Sequence, residues 1–85
     1  MKAKTKKYLI SMLEGRKRSL QGMIDNRLQG DKLMEVNLRI DPDWYEKYHN
    51  GTYEDYLKWS ADQKNDLTMK MLEIDMMIDE IKNEC

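Results

Sequence analysis

The sequence predicts an all-α fold: an antiparallel hairpin of two long helices with a short helix at the elbow, dimerising into a helical bundle or coiled coil. Three observations carry that reading. One Pro, four Gly and no Phe in 85 residues leave too few turn- and strand-formers for a sandwich or barrel. Apolar residues recur at near-heptad spacing over two long stretches. Between those stretches lie the stop and start signals Asp41-Pro42 and Asn50-Gly51. At 10.3 kDa, residues 1–85 are expected to form a single helical domain, because ordinary domains run to about 100–150 residues.

The first helix is expected over about 3–29. Ile10, Leu13, Leu20 and Ile24 are spaced 3, 7 and 4, with Lys17 filling the missing heptad position. Leu9, Met12, Met23 and Leu28 widen the stripe, and Gly30 is the residue expected just past a helix end. Residues 31–40 read as an extended connector, since Met34, Val36, Leu38 and Ile40 alternate at period 2. Asp41 as N-cap and Pro42 at the first position start a short helix of about 42–49, which Asn50-Gly51 ends. Thr52 then opens a third helix of about 52–83, whose first turn is acidic. Its seam is read as Leu57, Ala61, Lys64, Leu67, Met71, Ile74, Ile78 and Ile81, with final intervals of 4-3-4-3.

Charge divides the chain. Residues 1–29 hold eight Lys/Arg against two Asp/Glu, a net +6, and residues 30–85 hold seven against fourteen, a net −7. The two halves are therefore expected to lie side by side and neutralise one another. Two long helices and a short one bury little surface for their size, and Met69, Leu72, Met76 and Met77 widen the last stripe beyond what one helix covers. A homodimer, or a hairpin docked on a protein of unknown identity, follows.

Six of the seven aromatics, Trp44, Tyr45, Tyr48, Tyr53, Tyr56 and Trp59, fall between residues 44 and 59. Trp and Tyr bury large area and keep a polar handle, so this cluster is either a small core that locks the elbow or a partner-binding surface. Gly15 and Gly22, with Ser11 and Ser19, line the side of the first helix away from its seam. Each glycine costs a helix up to about 1 kcal/mol relative to alanine, so the stripe is either a site of close approach for a partner or a tolerated weak spot. Nucleic-acid binding is the alternative function, through Lys4, Lys6, Lys7, Arg16, Lys17 and Arg18. Only Tyr8 is interleaved for base stacking, and no helix-turn-helix, zinc-finger or ribonucleoprotein motif accompanies the charges.

Chemistry is poorly represented. Glu46 and His49 have the Glu-x-x-His spacing of metal-binding bundles, but a single such pair on a short helix reads as a surface histidine near a helix end. With one His, no nearby Cys, no glycine-rich phosphate loop and no nucleophile elbow, no catalytic set assembles. The chain reads as non-enzymatic, with no cofactor and no metal. Asn50-Gly51-Thr52 reads as a turn and cap rather than a glycosylation site. No apolar run nears the ~20 residues of a bilayer span, and the basic start leads only into Tyr8-Leu9-Ile10, so neither a span nor a signal peptide is expected. The single Cys85 at the frayed end forms no intramolecular pair, and a cytoplasmic location is expected.

The short, charge-dense helical chain is similar in composition to accessory and inhibitor proteins of phages and mobile elements. That resemblance implies stoichiometric docking on a larger partner. It assigns no residue.

Overall fold

The computed structural model describes residues 2–84; the reading of Cys85 lies outside them. Three helices follow one another: α1 over Ala3–Ile40, α2 over Trp44–Tyr48 and α3 over Tyr53–Asn83. There is no strand among the described residues. α1 and α3 pack against each other along a rod of 59 × 16 × 16 Å, and α2 folds back on α1 at one end. The long helices run antiparallel. Lys6 Nζ donates to the carbonyl of Glu84, Lys17 pairs with Asp75, and Asp31 meets Ser60, so the partner number falls as the residue number rises.

The expected connector over 31–40 is instead the last third of α1, and Gly30 does not end the helix. The cause is visible in the register. Ile10, Leu13, Lys17, Leu20, Ile24, Arg27, Asp31, Met34 and Leu38 form an unbroken alternation of 3 and 4, all half-buried against α3 or the elbow. The period-2 apolar run is also two helical pairs: Met34 and Leu38 face inward, Val36 and Ile40 face outward. Asp31 occupies a seam position. Termination falls to Asp41 and Pro42. Asp41 is extended, at φ −141° and ψ 101°, as a residue before proline prefers, and its amide closes the helix on the Asn37 carbonyl at 2.9 Å.

α2 is shorter than the expected 42–49. Its N-cap is Asp43, and Asp41 binds the Asp43 amide at 3.1 Å and the Lys47 ammonium at 2.8 Å. Gly51 adopts φ +104°, a conformation that would strain any L side chain. Thr52 and Asp55 then cap α3 reciprocally, each side chain accepting the other's amide.

The expected seam of α3 holds from Lys64 to Ile81 but not before it. Tyr56 and Ser60 are buried in place of Leu57 and Ala61, which are exposed. The intervals there are 4 and 4 rather than 4 and 3, a slip that rotates the first two turns and carries the phenol and hydroxyl toward Asp31. Among the described residues the buried hydrophobic side chains are Tyr56, Ile74 and Ile78, and none belongs to α1.

Candidate functional site

The most completely buried side chain, Ser60 at 1% exposure, is polar, and it belongs to a network built across the hairpin. One turn of α1 supplies Arg27 and Asp31; α3 supplies Tyr56, Ser60 and Lys64. Asp31 Oδ1 accepts from the Tyr56 and Ser60 hydroxyls, both at 2.7 Å, and Oδ2 accepts from Lys64 Nζ at 2.9 Å. Arg27 Nη2 donates to the Tyr56 oxygen at 3.1 Å, and its Nε lies 3.9 Å from Asp31 Oδ1. Burial alone raises the Asp31 pKa, but the donors Lys64, Tyr56 and Ser60 outweigh it and hold the carboxyl below its ordinary 3.8. Burial pushes the Tyr56 phenol above its ordinary 10.0, and donation to Asp31 adds to the rise.

The network orients a surface. The Arg27 guanidinium carbon sits 4.7 Å from the Trp59 ring centre, which holds the indole against the hairpin. Gly30 makes room for it, because a Cβ there would stand 2.8 Å from Arg27 Nη2. Trp59, Leu67 and Gln63 of α3 face Met23, Asn26 and Arg27 of α1 across an open groove of about 380 Å³. Trp59 remains 48% exposed.

The elbow aromatics divide. Tyr45 stacks on His49 at 4.4 Å and contacts Tyr53 and Tyr56 edge-on or tilted, so with half-buried Trp44 and Tyr53 it packs the elbow onto the hairpin. Tyr48 stands outside at 72% exposure. The Glu46 and His49 pair gathers no third ligand, and no group of three His, Cys, Asp or Glu is placed to hold a metal among the described residues. Gly22 has open space where a side chain would be, and Gly15 meets only Arg18, so no backbone approaches either within the chain. The basic residues divide, with Lys4, Lys7 and Arg18 on one exposed flank of α1. Lys17 pairs with Asp75 at 2.6 Å and Lys6 binds the Glu84 carbonyl, whereas Lys4, Lys7, Arg16 and Arg18 are exposed.

Sequence reasoning missed the Arg27–Asp31–Ser60–Lys64 network and the groove beside it. The signal was present: positions 27, 31 and 64 fall in the 3-4 register while carrying charge, and opposite charges at seam positions of two helices are expected to meet. No helix of the described residues is long and apolar enough to cross a membrane. No protein-family model, curated protein or solved structure matches the chain.

Proposed function

We propose that this protein is a non-enzymatic helical interaction module, an accessory or inhibitor that docks stoichiometrically on a partner protein. The supporting observation is the mismatch between apolar content and burial. Hydrophobic residues make up 40% of the chain. Among the described residues three hydrophobic side chains are buried while fourteen large ones are exposed. Scattered exposed leucines are ordinary, but stripes along a rod are surfaces that bind. On the outer side of α3, Met69, Leu72 and Met76 are exposed at 3-4 spacing, one such stripe. Tyr48 is a separate exposed aromatic at the elbow.

A photoreactive amino acid at Leu72 or Tyr48, irradiated in the source cell, is expected to yield an adduct with one other protein, stable to nuclease and destroyed by protease. No adduct at either position, or adducts that nuclease removes, would overturn the reading; the second outcome would favour nucleic acid.

A further inference from the structure

The two flanks of α1 beside its seam are chemically unlike. With Ile10 at heptad position a, the g and c positions from Lys2 to Ile40 include only two charged residues in twelve. The e and b positions from Lys4 to Arg39 include eight in eleven. The sparsely charged flank, whose two charges are Lys2 and Arg16, carries Leu9, Met12, Met23, Leu33 and Ile40, and the last four are exposed, Ile40 at 79%. The groove shared by Met23 and Trp59 places the indole of α3 on this same side, near the middle of the stripe. Trp and Arg, here Trp59 under Arg27, are the residues most enriched where interfaces concentrate their energy.

The rod is also an electric dipole. Its open end, residues 2–22 with 69–84, carries nine Lys/Arg against six Asp/Glu, a net +3; the elbow half, residues 23–68, carries six against ten, a net −4. Two rods side by side in the same direction repel at both ends. Reversed, each positive end lies against a negative one, and the sparsely charged flank brings only Lys2 and Arg16 of each copy toward the contact.

We propose that the occupant of this flank is a second copy of the chain, docked antiparallel, α1 against α1, in a twofold-symmetric four-helix bundle with elbows at opposite ends. The inference rests on the docking reading in taking the exposed apolar surface as an interface, and it names the partner for this flank. The axis passes between Met23 and Asn26, midway along the stripe, and Leu9 of one copy lies beside Ile40 of the other. Such a contact is isologous and closes without leaving a face for fibre growth.

The test uses the purified full chain with C85S, so that the terminal thiol is silent. Sedimentation at micromolar concentration is expected to give twice the 10.3 kDa chain mass. Met12→Glu and Met23→Glu should each weaken the dimer about tenfold or more with helical circular dichroism retained, while Leu28→Glu on the charged flank should not. Mild oxidation should cross-link Met23→Cys, which lies near the axis, and leave Ile40→Cys single. A monomer mass, a dimer indifferent to both Met→Glu changes, or an Ile40→Cys chain that cross-links as readily as Met23→Cys would overturn the proposal. The cysteine pair needs no loss of packing, so it decides even where a glutamate unfolds the helix. A monomer that still forms the Leu72 adduct in cells would remove the dimer and leave the docking reading standing.

Discussion

Asp31 is the acceptor on which three donors of α3 converge, so its removal strands them together. Asp31→Ala leaves the buried Ser60 and Tyr56 hydroxyls without their acceptor, Tyr56 keeping only the Arg27 donor, and leaves the half-buried Lys64 ammonium without its carboxylate, so about 2–3 kcal/mol should disappear from the urea unfolding free energy. Ser60→Ala removes one donor and should cost about 1 kcal/mol. The same network sets the pH response. A carboxyl whose folded pKa is depressed contributes stability above its unfolded value, ordinarily 3.8, and loses it as pH falls through the lower folded value. A phenol whose folded pKa is raised contributes below its unfolded value, ordinarily 10.0, and loses that contribution as pH rises through the higher folded value. The melting temperature of the wild type should therefore fall at both extremes. Asp31→Asn should flatten the acid limb, and an acid limb identical in mutant and wild type would show that other carboxylates control it.

Among the elements, α1 offers the sharpest comparison, because its glycines sit in different surroundings. Gly22 has open space at its Cβ position, so Gly22→Ala should stabilise the helix by about 0.5–1 kcal/mol. Gly30→Ala has the same intrinsic gain but must push Arg27 off Trp59, and its urea midpoint should not rise. In α3, Ile78 is buried and Asp79 exposed, so Ile78→Asp should abolish the cooperative melt followed by circular dichroism and Asp79→Lys should leave it nearly unchanged. These contrasts also show what was legible. The helical class, the hairpin and the seam from Lys64 to Ile81 follow from composition, near-heptad spacing and the breaks at Asp41-Pro42 and Asn50-Gly51. The continuity of α1 does not, because Arg27, Gly30 and Asp31 interrupt the apolar pattern where the register persists, and a glycine before an aspartate resembles a stop followed by a cap. The polar network was hidden for the same reason: it replaces apolar seam residues, and only the pairing of the two helices reveals that the replacements match.

For the molecule as a whole, the division between elbow and open end matters most. The elbow half holds the aromatic packing, the polar network and a net −4, and the other holds the isoleucine core and a net +3. Tyr45 is half-buried and Tyr48 exposed, so their substitutions should differ. Tyr45→Ala removes ring contacts to Tyr53 and Tyr56 and should lower stability by about 2 kcal/mol or more, whereas Tyr48→Ala, at an exposed site, should lie within about 0.5 kcal/mol of wild type by thermal melt. A complex with a docked partner should respond in the opposite order.

The hairpin's cross-contacts also close loops of very different size. Asp31 to Tyr56 encloses 25 residues and Lys6 to Glu84 encloses 78. Closure entropy grows with the logarithm of length, so meeting first at the open end costs about 1 kcal/mol more than meeting first at the elbow. The chain should therefore zip from the elbow outward, with the Asp31 network in the nucleus and the Ile74 and Ile78 turns joining afterwards. In stopped-flow experiments Ser60→Ala should chiefly slow refolding, and Ile78→Val should chiefly speed unfolding.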